Sequence, residues 1–440
     1  METECVRNEG HIQQHLVVDG NWSVPQVPAS LSPETAHATP LATLPQRRSL
    51  PPTSVVGYCF RRFFAKLYPT IPILSPEYVE LVATEAESLG GVEAQCLITA
   101  VCAVVLIQVE EPSQQLFEAD GIPHSNRKLG ELLFEDAMMA RNHMSSGFNP
   151  SLERVLATFF LYAGHASLFH HSQGFYFLRE TATMWLVLRI SENDTLRHRL
   201  ANRLFWVILV SERSHGIRYR RPVTLQVIPS SPDLDGDAES DATISGLKRL
   251  VALFRPLDTV FFALLNQEET VFFSGLLSPL DAVQVAIRGA LEARHAGVLC
   301  ETQVANLKVT QLWLLVTLWQ LRLRLGLLVE EPGVPGHLTF RYPVEVGEEL
   351  ASVIRAMSLE SIRIHGVGIN EKIFDVACAM IDVLSRVPAT DKSGTGLENI
   401  GYFRGLIREL PGGVSTYGAL LDKHISNTLP SLLGSPGTAG

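Results

Sequence analysis

The sequence contains no closely spaced pair of cysteines, although six cysteines are scattered over its 440 residues. A metal cluster needs thiolates that stand a few residues apart on one loop or turn, and this spacing is missing. Cys96 and Cys102 lie in apolar sequence, so we interpret them as small core residues. Scattered cysteines of this kind are typical of a reducing, intracellular compartment.

Long uninterrupted apolar runs are missing as well. The longest are LITAVCAVVLI at 97–107 and QLWLLVTLWQ at 311–320, and both are too short to cross a bilayer. The first residues, METECVRNEGHIQQH, are polar and do not resemble a secretory signal. The sequence therefore predicts no membrane segment, and we interpret both apolar runs as buried helices.

Positive charge is also in short supply. The chain has 36 Lys and Arg residues against 46 Asp and Glu residues, which gives a net charge of −10. A surface that binds the phosphate backbone of nucleic acid needs an excess of cations. The overall charge therefore argues against a protein built to bind nucleic acid by itself.

Motifs of catalysis and of cofactor binding do not occur. The sequence has no G-x-S-x-G nucleophile elbow, no P-loop and no kinase motif. The segment HGVGINEK at 365–372 has two glycines, but no strand precedes it and a third glycine is missing, so it does not indicate a phosphate site. We expect a protein that is not an enzyme, with no catalytic, cofactor-binding or metal-ligating residues and no cofactor.

Two segments have a superficial likeness to metal sites. HASLFHHSQ at 165–173 has histidines five and six residues apart, whereas two ligands on one helical face need a step of four. SPDLDGDAESD at 231–241 lacks the glycine and glutamate positions of a calcium-binding loop. We interpret the first as a helix end with its turn and the second as a solvated loop.

What remains is a helical pattern almost throughout. Strand signals are nearly absent, and hydrophobic residues make up 46% of the chain, enough to bury a sizeable core. The predicted fold class is all-α, with one large helical domain at 55–430. A Pro/Ser/Thr-rich tail at 1–54 and a short tail at 431–440 are predicted to be disordered.

The individual helices follow from apolar residues that recur every three to four positions. SPEYVELVATEAESL at 75–89 has a clear start, with Ser75 at the cap and Pro76 at the first helical position. Breaks are expected at 330–337 and 388–401. An aromatic-rich helix is also predicted in the segment before Pro69. The other predicted helices are 93–110, 128–144, 152–168, 174–190, 195–217, 245–266, 279–297, 302–328, 346–364 and 368–386.

The segment RLFWVILVSERSHGIRYRRPVTL at 203–225 places charges inside an apolar helix. Glu212 and Arg213 follow a mostly apolar run, so at least one of them should be desolvated and in need of a partner. The preceding helix offers Arg179 and Glu180. We therefore predict a structural ion-pair network between the two helices that joins these four residues.

The exit from this helix is basic. We expect the helix to end near Gly216, with Pro222 forcing an extended segment. Arg218, Arg220 and Arg221 could form a basic surface that meets a phosphate backbone or an acidic partner. The interpretation that we favour is a set of helix-terminal cations and core ion pairs.

The segment at 203–233 resembles the signature of the fungal-specific transcription factor domain, the large helical middle region of fungal zinc-cluster regulators. The likeness is greatest to amylolytic and maltose-type activators. GFYFLRETATMWLVLRI at 174–190 and FFAKLYPTIPIL at 63–74 resemble the family's preceding helix and its entry segment. The residues that match the pattern are Gly174, Arg179, Glu180, Ala182, Arg203, Phe205, Trp206, Glu212, Arg213, Arg221 and Pro222.

One departure from this family concerns its DNA reader. Family members normally begin with a six-cysteine zinc cluster of the C-x-x-C-x6-C type, whereas the first 60 residues here hold only Cys5 and Cys59. The part that reads the major groove is thus absent from this sequence. Either the protein works without it, or a cluster is encoded ahead of Met1.

The resemblance implies a transcription regulator located in the nucleus. We expect it to act through a DNA-binding protein partner or as a homo-oligomer, with a small-molecule effector as a further expectation. The favoured target is a secondary-metabolite gene cluster. The alternatives are a regulator of carbohydrate utilisation, direct DNA binding through the basic exit, and a helical small-molecule-binding protein or enzyme.

Overall fold

The all-α fold class is confirmed by the structure, a computed structural model. All regular elements among the described residues are helical. Those residues lie within one compact unit, Ser49–Gly440. No helix of the described part combines the length and the apolar character that a membrane span requires. The described residues are 50–88, 91–144, 148–234, 242–266, 277–292, 298–387 and 393–430.

The predicted tails lie almost wholly outside the described residues, as does most of the acidic loop at 231–241. At the boundary the first described helix begins at Thr53, two residues before the expected start of the domain. Pro52 precedes this helix and favours its start, because the proline ring restricts the backbone just ahead of the first turn.

Seven of the described helices lie in the first half of the chain. The predicted cap of α2 is present: the Ser75 hydroxyl accepts a hydrogen bond from the backbone N–H of Tyr78 at 3.2 Å. A π-helical turn at Phe63–Leu67 extends α1, and a 3-10 turn lies at Glu118–Asp120. The helices are α1 Thr53–Arg62, α2 Pro76–Glu87, α3 Val92–Gln108, α4 Asn126–Asn142, α5 Leu152–Ser167, α6 His171–Val187 and α7 Thr195–Tyr219.

Nine further helices follow within the described segments from 242 to 430. The segment 245–266, predicted as one helix, forms two, and Asp258 caps the second by accepting from the N–H of Phe261 at 3.0 Å. A 3-10 turn lies at Gly336–Leu338 and a π-helical turn at Gly413–Tyr417. The helices are α8 Ala242–Phe254, α9 Thr259–Leu265, α10 Leu277–Gly289, α11 Glu301–Arg324, α12 Tyr342–Arg355, α13 Leu359–Arg363, α14 Val367–Arg386, α15 Ser393–Glu409 and α16 Gly418–Thr428.

The break that we expected at 388–401 was wrong in its second part, because α15 begins at Ser393. Its glycines weaken helical propensity, which is why the segment has the composition of a loop. Ile400, Phe403 and Ile407 nevertheless lie on one face and are fully buried. Burial of this face outweighs the weak local propensity.

Two hydrophobic cores fill the described unit. The first collects buried residues between Val55 and Val251 and has α3 at its centre, while the second runs from Ile217 to Ile425 around α11 and α14. Helix α7 contributes to both cores, with most of its apolar residues in the first and Ile217 in the second. The charged end of α7 therefore lies where the two cores meet.

Candidate functional site at a polar junction between the two cores

Both charged residues at the centre of the signature in α7 are buried. The sequence predicted this for at least one of them. Glu212 is 2% exposed and Arg213 is 1% exposed. The helix continues past the expected end at Gly216 as far as Tyr219. Arg220 then takes a left-handed conformation with a φ of 52°, and its N–H closes the last turn on the carbonyl of Gly216.

Two members of the predicted four-residue network are joined. Arg179 of α6 lies with its Nη1 3.1 Å from Oε1 of Glu212. The other carboxylate oxygen of Glu212 accepts the backbone N–H of Leu225 at 2.8 Å. This single carboxylate thus links α6, α7 and the extended segment that follows α7.

The other two members have different partners. Glu180 accepts hydrogen bonds from Arg141 of α4 at 2.6 and 2.7 Å. Arg213 donates to the backbone carbonyl of Phe254 at 2.7 Å, and burial lowers the pKa of its guanidinium to about 10. The four residues do not form one network, because Glu212 and Arg213 are adjacent on the helix and cannot face the same neighbour.

Arg218 does not lie on a basic surface, which was one of the two interpretations of the helix exit. Its side chain is 11% exposed and lies between two carboxylates of α14, in direct contact with Asp375 and with Nε 3.4 Å from Oε1 of Glu371. The indole N–H of Trp313 in α11 donates to the same Asp375 at 3.0 Å. Burial lowers the pKa of Arg218, but the two carboxylates outweigh it and raise the pKa well above its ordinary value.

The remaining two arginines of the exit point to different places. Arg220 donates to the backbone carbonyl of Leu265 at 3.0 Å. Arg221 is exposed and places its guanidinium carbon 5.3 Å from the centre of the Phe175 ring. The three arginines therefore do not form a shared basic surface, because two of them have partners inside the fold.

Glu371 is the centre of what we call the polar junction, formed by His171, Arg218, Tyr219, Glu371, Asp375 and Tyr417. Its Oε1 accepts the hydroxyl of Tyr219 at 2.9 Å and the hydroxyl of Tyr417 at 2.5 Å. The Tyr219 oxygen also lies 2.8 Å from Nδ1 of His171. Helices α6, α7 and α14 and the turn before α16 are therefore tied together by one hydrogen-bonded cluster.

Two opposing effects set the pKa values at the polar junction: burial disfavours the charged form of each group, and nearby opposite charges favour it. Burial raises the pKa of Glu371, but Arg218 and the tyrosine hydroxyls lower it more, so the net pKa lies below the usual value. For Asp375 burial prevails over Arg218, and the net pKa is raised. Beside them, burial lowers the pKa of Lys372 to about 8, and its ammonium donates to the Thr310 hydroxyl at 2.8 Å.

This arrangement can hold helices in one relative position. The charges face partners on other helices, which is the usual condition for keeping a charge away from water. Among the residues that the structure describes, no three His, Cys, Asp or Glu side chains are placed to bind one metal ion together. The polar junction is therefore a candidate site of mechanical coupling between the two cores.

The α14 side of the junction was not predicted. In the sequence Glu371 and Lys372 stand in the segment 365–372, whose two glycines do not make a phosphate site. A usable signal was present: Glu371 and Asp375 stand four residues apart on one face of an otherwise apolar segment. Two carboxylates in that position require a cation from another helix.

The chain is similar to one curated protein, the probable sucrose utilization protein SUC1 of Candida albicans. The two are 24% identical over an alignment of 339 residues that covers 74% of this chain and 64% of that protein. The chain thus spans slightly less than two thirds of its relative's length. No protein-family profile and no solved structure matches the chain. It is therefore a distant relative of a fungal protein named for sucrose utilization.

Proposed function

We propose that the protein is a fungal transcription regulator and that its helical domain is the regulatory part. The distant relative in Candida albicans, with 74% of this chain aligned, supports a fungal regulator. The segment at 203–233, which resembles the signature of the fungal-specific transcription factor domain, supports the same assignment independently.

One observation carries the proposal: the residues of this signature are used inside the fold. Arg203 is 1% exposed and donates to the carbonyl of Pro72 at 3.5 Å, while the Trp206 indole donates to the carbonyl of Pro232 at 2.9 Å. Arg203 thus fixes the entry segment before α2, while Trp206 and Glu212 attach the extended segment after α7 to that helix. Residues used in this way support a scaffold role for the signature.

In this proposal a partner protein in the nucleus reads the DNA. The chain binds that partner either as a monomer or as a homo-oligomer. The exit of α7 supports this assignment, because Arg218 and Arg220 have partners within the fold. Of Arg218, Arg220 and Arg221, only Arg221 is exposed, so direct DNA binding through the exit of α7 would have one exposed arginine available. Filter binding of the full chain to DNA at low salt should detect no complex, and a salt-sensitive complex would contradict this assignment.

The target genes that we favour are those of carbohydrate utilisation. The name of the relative supports this class, whereas the secondary-metabolite cluster that the resemblance first favoured has no structural observation behind it. Both targets require the same regulatory scaffold, so the choice between them depends on which transcripts respond.

A deletion strain tests this function directly. We expect transcripts for sucrose uptake and hydrolysis to lose their response when the strain is moved to sucrose, and the intact gene to restore it. Arg221→Ala, which changes an exposed arginine of the signature, is the matched variant that should restore it too. A transcriptome unchanged by deletion under all carbon sources would contradict a role in transcription.

A further inference from the structure

Two histidines face each other at the connection between α5 and α6. Nδ1 of His165, in the last turn of α5, lies 3.3 Å from Nδ1 of His170, the residue that precedes α6. Their spacing of five residues does not place them on one helical face. The turn brings them together because Phe169 between them takes a left-handed conformation with a φ of 62°.

The pair borders a solvent-open groove of about 630 Å³ along α4. His165 is buried, with 6% of its surface exposed, whereas His170 is exposed. Glu131 and Glu135 of α4 line the same groove. Glu131 is bound by Arg127 at 2.7 Å, whereas Glu135 is exposed.

Aromatic packing holds the inner histidine in this orientation. Its ring stacks on Phe177, with centroids 5.0 Å apart, and meets the edge of Phe134 at 4.9 Å. Phe134 can approach this closely because its neighbour is Gly164, where a Cβ atom would come within 2.3 Å of the ring. The first ring of the pair is thus oriented before any ligand arrives.

We propose that His165 and His170 bind a late first-row transition metal ion through their Nδ1 atoms, with Glu135 or water completing the coordination. Two nitrogen ligands of a tetrahedral zinc ion, each about 2.05 Å from the metal, lie about 3.3 Å apart, which matches the observed separation. Imidazole nitrogens and a carboxylate suit such an ion. The described side chains supply two converged ligands, and Glu135 must rotate to become the third.

The affinity should be modest. A histidine that binds metal through one nitrogen usually donates its other N–H to an acceptor, which raises its strength as a ligand. Nε2 of His165 is buried and has no hydrogen-bond partner. We therefore expect micromolar binding and not the tighter binding of a structural zinc site.

The test uses the full chain freed of metal by dialysis against a chelator. Zn²⁺ affinity is measured by competition with a chromophoric chelator, and Co²⁺ reports tetrahedral coordination by its visible absorption. We expect His170→Ala to weaken binding more than about tenfold and to abolish the Co²⁺ spectrum. His143→Ala, which changes an exposed histidine at the end of α4, is the matched control and should leave both unchanged. Glu135→Gln should weaken binding if its carboxylate is the third ligand.

Two results would overturn the proposal. Unchanged Zn²⁺ affinity in His170→Ala would show that metal binds elsewhere in the chain. No Zn²⁺ binding by the unaltered protein would leave only a hydrogen bond between the histidines. In support, Zn²⁺ should raise the melting temperature of the unaltered protein and of His143→Ala, but not that of His170→Ala.

Discussion

The two cores bury their central helices in opposite ways. Helix α3 in the first core buries thirteen residues, and none of them carries a charge. Helix α14 in the second core also buries an apolar face, but it places Glu371, Lys372 and Asp375 against other helices. An apolar contact is stabilised by the area removed from water, whereas a desolvated charge depends on a particular partner.

This difference separates stability from specificity. The apolar packing around α3 would tolerate modest changes of shape, because hydrophobic contacts have no preferred direction. The polar junction accepts one arrangement of α6, α7 and α14, since a shift would leave buried carboxylates without their donors. The junction is thus the part of the scaffold that can couple one core to the other.

The largest expected effect comes from removing the cation of the polar junction. Arg218→Met leaves the carboxylates of Glu371 and Asp375 without their guanidinium, and the free energy of unfolding should fall by about 3 kcal/mol. This is the low end for a buried pair, because Asp375 remains 29% exposed. Urea unfolding at neutral pH measures the change.

The control is the triple variant that adds Glu371→Gln and Asp375→Asn. It should regain part of the lost stability, because it removes the unpaired charges. If Arg218→Met alone lowered the free energy of unfolding by less than about 1 kcal/mol, as for an exposed ion pair, the polar junction would not depend on specific charge partners more than the packing around α3 does.

Acid should weaken the packing beside the polar junction through His215, whose ring centre lies 4.5 Å from that of Tyr219. Burial lowers the pKa of His215 to about 4, against an ordinary value of 6.5, so the unfolded chain binds this proton more readily. As the pH falls below about 6.5 toward 4, the free energy of unfolding should decrease by about 1.4 kcal/mol per pH unit from this group. The lost stability returns as the pH rises from 4 to about 6.5, above which this group makes no further difference.

His215→Phe isolates this contribution, since a phenyl ring can keep the stacking on Phe175, which lies 5.6 Å away. Other buried histidines titrate in the same direction, so the informative quantity is the difference in slope between the two proteins. Equal slopes between pH 6.5 and 5 would show that His215 takes up its proton in the folded state as easily as in the unfolded one.

A smaller effect is expected from overpacking the first core. In Gly164→Ala the new methyl group would lie 2.3 Å from the ring of Phe134, and we expect a loss of about 2 kcal/mol. Gly405→Ala is the matched control in α15, where no atom stands within 4 Å, and it should stabilise the protein by about 1 kcal/mol. Thermal unfolding should show a lower melting temperature for Gly164→Ala and a higher one for Gly405→Ala. A higher melting temperature for Gly164→Ala would mean that Phe134 can move aside.

The smallest effect tests the tolerance of the apolar region. Ile98, which is 2% exposed at the centre of α3, loses one methyl group in Ile98→Val. The expected cost is about 1 kcal/mol, with no change in the pH dependence of stability. Urea unfolding at two pH values checks both points, and an altered pH dependence would show that the two regions are not energetically distinct.

Local features of the fold were open to sequence reasoning. The start of α2 at Ser75 and the burial of α3 both followed from residues within a few positions of each other. Helix α15 was missed because its glycines dominate the local pattern, while its buried face depends on contacts with distant helices. In α7 the need of Glu212 and Arg213 for partners was visible, but the partners were identified for Glu212 alone.

The sequence by itself determined the all-α class, most helix positions and the presence of charges in an apolar helix, because helical periodicity and capping act over three or four residues. Only the tertiary structure decided which partner each charge has. Arg218 and Asp375 are 157 positions apart, and Tyr219 and Glu371 are 152 positions apart. Such pairs form only when separate helices pack, since a buried charge takes whichever opposite group the packing brings within reach.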